Sequence, residues 1–314
     1  MTVNYYKIGK TFFGGAKSQM GRLIYSTGRS EKTVTTLFDV FKENTLYKIK
    51  PEKLAQDIYQ RSSAMYKNAD ELFKPLAEKY GKFDSRIKRL NKLESKIPRS
   101  IQKMDSEKAI EVIQSGSLMN IIGDSYGARI TFNKVEDVEK FLDELLKAGK
   151  DLKIVNIENY HGKGITPYIS QQFSEKLTGK YGIEVINSIK NAGYTRANVN
   201  ILYKGVPIEL QLGGEYTTKF GDVEHFLYDM RGGCNPDLSN LNPEKIKLFN
   251  NMRQDYQYIM KKPILHDIHN NYLNDVWKTL KVAEEAKLPF PKLPELPSGL
   301  PKSLTVENLF LLGH

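Results

Sequence analysis

The stretch GYTRANVNILYKGVPIELQ, residues 193–211, carries the pattern of a β-hairpin, and the predicted fold is built around it. The pair Lys204-Gly205 supplies the turn, because glycine adopts the backbone angles that tight turns need. Apolar residues alternate on both sides of that turn, at Val199, Ile201, Tyr203, Ile208, Leu210 and Leu212. Since successive side chains of a strand face opposite sides, Glu209 and Gln211 share the other face of the return strand. The pattern predicts a hairpin that buries one face and presents an acid and an amide on the other, to a ligand or simply to solvent.

The segments before the hairpin predict an α+β domain. Strands and helices are expected in alternation, with strands at 128–132 and 152–157 and helices at 133–149 and near 168–177. Asn133 is expected to cap its helix, and Glu136 is expected to complete a capping box. This order predicts one mixed β-sheet of about five strands covered by helices.

Further helices flank this domain on both sides. They are expected from Pro51 toward Gly81 with a kink at Pro75, and over Gly221–Arg231, Asn242–Lys262 and Leu265–Ala286. The predicted organisation is an N-terminal extension over 1–50, a main domain over 51–235, a helical pair over 236–288 and a Pro-rich tail over 289–314. The tail is expected to be an extended arm that packs on the body or on a partner.

Composition bounds the class of protein. The 314 residues carry a net charge of +10 and include one cysteine, Cys234. The charge favours polyanionic partners such as nucleotides or RNA, although solvated lysines on helix faces give the same excess. A single cysteine excludes an internal disulfide framework and fits a reducing compartment. A cytoplasmic protein is expected, or a secreted toxin delivered into the cytoplasm of a target cell. No run approaches the roughly 18 apolar residues of a membrane span, so no membrane segment is predicted.

Two short motifs carry opposite charges. The basic run SRIKRLNKLESK, residues 85–96, is predicted as a helix or as a turn leading into one. Like charges this close repel each other, so the run favours a bound anion, although a solvated face is the alternative. Downstream, a turn between two apolar runs carries Asp124, Gly127 and Arg129.

In this order the motifs resemble the synthetase domain of the RelA/SpoT-type (p)ppGpp synthetases, above all their small and toxin-related branch. The matching pieces lie between about residues 80 and 232 and are Arg86-Ile87-Lys88 with Lys96, Asp124-x-x-Gly127-x-Arg129, Gly193-Tyr194, Glu209-x-Gln211, and Glu224-His225 with Tyr228. The resemblance implies a nucleotidyltransferase-like synthetase core within 51–235. It also implies transfer of pyrophosphate from ATP to the 3′-hydroxyl of a nucleotide.

The resemblance further implies a role for each matching residue. The residues implied to bind the ATP phosphates are Arg86, Lys88, Lys96 and Arg129. Asp124 and Glu209 are the implied catalytic residues and would hold Mg²⁺, and Glu209 would also act on the attacking hydroxyl. The residues implied to bind the acceptor are Tyr194, which would stack on its base, Arg196, Gln211 and His225.

Two departures from the family pattern leave the acceptor open. Arg196-Ala197-Asn198 stands where the family usually has Ser-Leu-His, and Gly213-Gly214 replaces a basic residue after Glu-x-Gln. The acceptor is therefore a guanine or adenine nucleotide, or else the 3′ end of tRNA, which would make the protein a translation-blocking toxin with an antitoxin or immunity protein as partner. A catalytically inactive nucleic-acid-binding module on the same fold is a further alternative, against which the presence of both acids argues.

Overall fold

The computed structural model describes residues 51–102, 122–148, 151–231, 238 and 241–313, so the predicted extension over 1–50 lies outside the described residues. Within this part of the chain, six strands form one mixed sheet in the order β1-β2-β6-β5-β3-β4. They are β1 Gly81–Ile87, β2 Tyr126–Phe132, β3 Leu152–Gly162, β4 Glu184–Lys190, β5 Arg196–Tyr203 and β6 Val206–Gly214. The predicted α+β fold with one mixed sheet is confirmed.

The predicted hairpin lies at the centre of this sheet. β5 and β6 pair antiparallel across a turn at Lys204 and Gly205, whose left-handed φ angles are 48° and 81°. β6 also pairs in parallel with β2, and β5 pairs antiparallel with β3. The hairpin therefore connects the two halves of the sheet, and its polar face is the middle of the sheet's polar face.

Three helices cover the apolar face of the sheet: α1 Pro51–Ala77, α3 Val138–Leu145 and α4 Gln171–Tyr181. Their large side chains Phe73, Phe141 and Phe173 join the buried cluster formed by the alternating apolar residues of the strands. The helix α2 Leu90–Gln102 follows β1 and packs against α1. The alternating apolar residues of the hairpin thus form one side of a continuous core.

A second core forms among the C-terminal helices, with Trp277 fully buried within it. These helices are α5 Glu215–Arg231, α6 Pro243–Met260, α7 Pro263–Glu285 and α8 Val306–Gly313. The Pro-rich tail packs on this bundle, burying Leu300 and Leu304, and ends in α8, which the sequence did not predict. No helix in the described ranges combines the length and apolarity of a membrane span.

Two local predictions were wrong, and one strand was not predicted. The helix predicted from Asn133 begins only at Val138, after a 3₁₀ turn, and no side chain caps it; the backbone N–H of Asn133 donates instead to the carbonyl of Tyr80 at 3.0 Å. Arg86 lies on strand β1 and not on a helix. Strand β4 was missed because it lies at the edge of the sheet, where Ile186 and Ile189 are exposed and the apolar alternation is weak.

Candidate active site

Residues from three strands share a row on the polar face of the sheet. The register places Arg86 of β1 opposite Gly127 of β2, and Gly127 opposite Glu209 of β6. Neighbouring strands lie about 4.8 Å apart, so this row brings together motifs that are distant in sequence. Gly127 leaves open space here, because a Cβ added to it would meet no atom within 4 Å. The row therefore contains a gap with a guanidinium on one side and a carboxylate on the other.

Asp124 lies in the turn that leads into β2 and pairs with two lysines. Its Oδ1 is 2.5 Å from Nζ of Lys96, and its Oδ2 accepts a hydrogen bond from Nζ of Lys88. Lys88 reaches this position because its backbone N–H donates to the carbonyl of Ser125 at 2.8 Å, which ties the end of β1 to the turn. Lys96 approaches from α2. The structure thus joins the basic run and the Asp-x-x-Gly-x-Arg motif in one charge cluster.

The electrostatics keep the Asp124 carboxyl ionised. Burial opposes its ionisation, but the charges and hydrogen bonds of Lys88 and Lys96 outweigh burial and lower its pKa. Burial also lowers the pKa of Lys88, as does the charge of Lys96, while Asp124 acts in the opposite direction. Two ammonium groups compete for one carboxylate, so a polyphosphate arriving here would find cations that are only partly neutralised.

Glu209 lies on β6, close enough to Asp124 to feel its charge. Burial raises the pKa of Glu209 and the Asp124 charge raises it further, while a hydrogen bond from Gln211 and the charges of Lys96 and Lys88 oppose the shift. A carboxyl whose ionisation is disfavoured both by burial and by a second acid is typical of a site that receives a cation or a proton.

A chain of hydrogen bonds leads away from Glu209. Nε2 of Gln211 donates to Oε1 of Glu209 at 2.8 Å, and Nη1 of Arg196 donates to Oε1 of Gln211 at 2.7 Å. Arg196 is buried, with 3% of its surface exposed. Gln211 and Arg196 are therefore in line with Glu209, and the predicted contact of each with an acceptor stays a prediction.

The two arginines implied to bind ATP have different surroundings. Arg129 donates through Nη1 to both carboxylate oxygens of Asp222 on α5, each at 2.7 Å. Arg86 is exposed. Arg86 is therefore the more accessible cation beside the gap at Gly127, and a ligand would have to share Arg129 with Asp222.

Tyr194 lies half-buried in an aromatic cluster at the start of β5. Its ring centroid is 5.8 Å from that of Tyr160 and 5.5 Å from that of Trp277, and Cζ of Arg196 lies 5.9 Å away. Nζ of Lys190 lies 4.0 Å from the Tyr160 centroid. A ring held in this way is pre-organised for a stacking contact, although the role of Tyr194 stays a prediction.

His225 is the remaining residue implied to bind the acceptor. It is exposed on α5 and stacks on Tyr228, with ring centroids 5.4 Å apart. This i, i+3 pairing on one helix explains its orientation, and its role stays a prediction.

Four neighbours of the site were not predicted from the sequence: Tyr160, Lys190, Asp222 and Trp277. Tyr160 lies beyond the strand predicted over 152–157, whereas β3 continues through it to Gly162. Trp277 belongs to the buried stripe of α7, and nothing in its spacing indicates proximity to Tyr194. Such contacts depend on how the bundle sits against the sheet, which no local pattern encodes.

The oxygen donors of the site suit a hard divalent cation. Glu209 supplies a carboxylate opposite Gly127, where a Cβ would meet no atom within 4 Å, and Asp124 lies close enough to act on Glu209 through its charge. Among the residues that the structure describes, no group of three or more His, Cys, Asp or Glu side chains could hold a metal alone. Two carboxylates completed by waters and phosphate oxygens match the coordination that Mg²⁺ prefers. A carboxylate has about four lone-pair positions, so Asp124 can bind a cation in addition to the two lysines.

The chain matches several solved structures at low similarity. They include small alarmone synthetase 1 from Bacillus subtilis bound to its product pppGpp, with 17% identity, a TM-score of 0.35 and coverage of 65% of this chain and 94% of that one. A second structure of small alarmone synthetase 1 from Bacillus subtilis has 19% identity, a TM-score of 0.36 and coverage of 66% and 94%. A GTP pyrophosphokinase family protein from Streptococcus pneumoniae has 16% identity, a TM-score of 0.37 and coverage of 76% and 98%.

These are proteins of the kind that the sequence resembles. No family model and no curated protein matches the chain. At this identity and TM-score the likeness carries no inference about activity, which has to come from the site.

Proposed function

We propose that the protein transfers pyrophosphate from ATP to the 3′-hydroxyl of a nucleotide acceptor. One observation supports this most strongly: Asp124 pairs with both Lys88 and Lys96, and this cluster lies within electrostatic reach of Glu209. Three motifs that are far apart in sequence thus supply the cations and acids that pyrophosphoryl transfer needs. The reaction requires neutralised charge and an aligned nucleophile more than it requires covalent help.

The basic residues would hold the donor. Lys88 and Lys96 would bind the ATP phosphates as mobile point charges, while the exposed guanidinium of Arg86 suits a bidentate contact. The gap at Gly127 would admit the phosphates close to the sheet. Asp124 and Glu209 would hold a Mg²⁺ ion, whose charge would help to neutralise the charge that develops on the phosphates.

Glu209 would act on the acceptor. The bond that forms joins the acceptor 3′-oxygen to the β-phosphorus of ATP, and the bond that breaks joins that phosphorus to the oxygen of the α-phosphate. AMP leaves with the bonding electron pair, and the hydroxyl proton passes to the Glu209 carboxylate. A carboxyl with a raised pKa is better matched to this proton transfer than an ordinary one.

The acceptor can be identified by label transfer. The protein is incubated with γ-labelled ATP and Mg²⁺ against GDP, GTP, ADP, ATP and tRNA, while AMP release and the labelled acceptor are measured together. We expect one labelled acceptor for each AMP released in the wild-type protein, and none with Asp124→Asn. AMP release without a labelled acceptor, or no reaction with any member of the panel, would contradict the proposed function.

The panel also separates the two acceptor classes. The net charge of +10 favours tRNA, because a long polyanion gains from charge outside the site as well. Transfer to tRNA should then fall steeply as salt is raised, whereas transfer to a mononucleotide should change little. Efficient labelling of a mononucleotide with none of tRNA would remove the toxin alternative.

A further inference from the structure

The side chain of Arg196 occupies a compartment shaped to hold it. It is 97% buried, with its Cζ 5.9 Å from the Tyr194 ring centroid, and both its guanidinium and the Trp277 indole lie beside Gly221. Gly221 makes room for its guanidinium, because a Cβ added there would lie only 3.1 Å from Nη2. Gly213 also borders it, at an ordinary contact distance of 3.6 Å from Nε. The guanidinium is therefore enclosed on several sides and is not a surface group available to a bulky acceptor.

The compartment gives the Gln211 amide a single orientation. A guanidinium only donates hydrogen bonds and a carboxylate only accepts them. Arg196 therefore requires the oxygen of Gln211 to face it, at 2.7 Å, and the NH₂ group is left to face Glu209, at 2.8 Å. Because the amide cannot turn over without losing both bonds, its orientation fixes the position of the Glu209 carboxylate.

The stability of the fold does not account for a cation at this place. Within the described part of the chain, Nε and Nη2 of Arg196 are buried without a hydrogen bond to another protein group, and no carboxylate forms an ion pair with Arg196. A buried charge with unsatisfied donors destabilises a protein unless something else requires it. The acid that this charge does serve is Glu209, through one intervening amide.

We propose that Arg196 is a positioning residue, which holds Glu209 in its reactive orientation through Gln211 and does not bind the acceptor. This inference rests on the proposed function, and it replaces the acceptor-binding role that the sequence implied for Arg196. A carboxylate displaced by about 1 Å loses alignment with the hydroxyl, and such misplacement costs a transferase on the order of 100-fold in rate. The defect should therefore appear in kcat and not in the binding of the acceptor.

A double-mutant cycle tests this relay, by which we mean the hydrogen-bonded path from Arg196 through Gln211 to Glu209. Arg196→Met removes the charge and the donors while keeping the length of the side chain, and Gln211→Met removes the amide. Each single variant should lower kcat by about 10- to 100-fold and change the acceptor KM by less than about 3-fold. In the Gln211→Met background, Arg196→Met should cost less than about 3-fold more, because the relay is already broken. Arg196→Lys keeps a donor-only cation and should retain an intermediate kcat.

Several outcomes would overturn the proposal. One is a large rise in acceptor KM at unchanged kcat in Arg196→Met, which is the result expected of a direct acceptor contact. Another is full additivity of the two substitutions. Arg61→Met, which removes an exposed arginine on α1 paired with Asp57 at 3.1 Å, is the control and should leave kcat unchanged. If Arg196→Met does not fold, Gln211→Met and Arg196→Lys still give the kcat-against-KM comparison.

A structural readout separates failure of this inference from failure of the proposed function. In a crystal structure of Arg196→Met, we expect the distance between Nε2 of Gln211 and Oε1 of Glu209 to exceed hydrogen-bonding range. An unchanged distance would refute the positioning role even in a fully active enzyme. A wild-type protein that transfers nothing would refute the proposed function, whatever this distance is.

Discussion

Two half-buried glutamates of this protein lie in contrasting surroundings. Glu284 of α7 accepts hydrogen bonds from the backbone N–H of Thr217 at 2.7 Å, from the Thr217 hydroxyl at 3.1 Å and from the Tyr168 hydroxyl at 3.0 Å. Glu209 accepts one from Gln211 and faces the charge of Asp124. Burial raises the pKa of both carboxyls.

The difference indicates what each carboxylate is for. Glu284 binds the first turn of α5, where the helix dipole favours an anion, and so joins the C-terminal bundle to the end of β6. Its hydrogen-bonding capacity is largely satisfied, as expected of a side chain with a structural role. Glu209 can accept further hydrogen bonds and lies within reach of the charges of a second acid and two lysines, as expected of a side chain that binds a ligand.

The largest expected effect is the loss of transfer in Glu209→Gln. The amide neither takes the proton nor holds the cation, so kcat should fall by about 10³-fold or more. Removing this half-buried acid, whose ionisation the Asp124 charge disfavours, relieves repulsion, so the thermal midpoint should be unchanged or higher. Label transfer and calorimetry on the same sample check both parts. A fully active Glu209→Gln would mean that the two glutamates do not differ in function.

Glu284→Ala should show the opposite pattern. The N–H of Thr217 and the Tyr168 hydroxyl would lose their acceptor, so the free energy of unfolding should fall by about 2–4 kcal/mol. The transfer rate per folded molecule should stay within a few-fold of wild type. Urea unfolding gives the first quantity and label transfer gives the second. A stable but inactive variant would place Glu284 in the chemistry and remove the contrast.

A matched pair of glycine substitutions compares the same two regions. A Cβ at Gly214 would lie 2.3 Å from Oε2 of Glu284, so Gly214→Ala should lower the free energy of unfolding by about 1–3 kcal/mol. Gly127→Ala adds the same methyl group into open space beside Glu209 and should leave stability within about 0.5 kcal/mol of wild type. It should nevertheless raise the KM for ATP, because the methyl group enters the gap. Equal stability losses in both variants would contradict the assignment of that gap.

The smallest effect is a pH dependence of stability. Burial raises the pKa of Glu284 above its ordinary 4.5, so the folded state binds its proton more tightly than the unfolded chain does. The stabilisation from this group is therefore present at low pH and is lost as pH rises through the folded pKa. Wild type and Glu284→Gln are compared by the difference between their free energies of unfolding. This difference should fall as the pH rises from 4.5 to the folded pKa of Glu284, by at most about 1.4 kcal/mol per pH unit. A difference that rises with pH would show the wrong sign for a raised pKa.

The sequence predicted the parts of the fold that depend on local pattern. The hairpin followed from the alternation around Lys204-Gly205, and the face shared by Glu209 and Gln211 followed from the period of two. The capping box at Asn133 failed because a tertiary hydrogen bond to Tyr80 competes for the same segment. Local propensity is a weak prior wherever tertiary contacts are available.

In the candidate site, too, local motifs could be predicted from the sequence and tertiary contacts could not. The resemblance to a known family implied that Lys88, Lys96, Asp124 and Glu209 belong together. In the structure both lysines pair with Asp124, and Glu209 lies close enough to feel its charge. Burial of Arg196 could not be predicted, because it depends on Trp277 and Gly221, which are contributed by the C-terminal bundle. Sequence patterns indicate which chemical groups are present, whereas the packing of distant helices decides which of them a ligand can reach.

A crystal structure with Mg²⁺ and α,β-methylene ATP, in which the scissile bond cannot break, would test the central claim most directly. We expect the triphosphate between Lys88, Lys96 and Glu209, over the gap at Gly127, with the lysines turned from Asp124 toward phosphate oxygens. A nucleotide bound elsewhere, with both lysines still on Asp124, would contradict the proposed site.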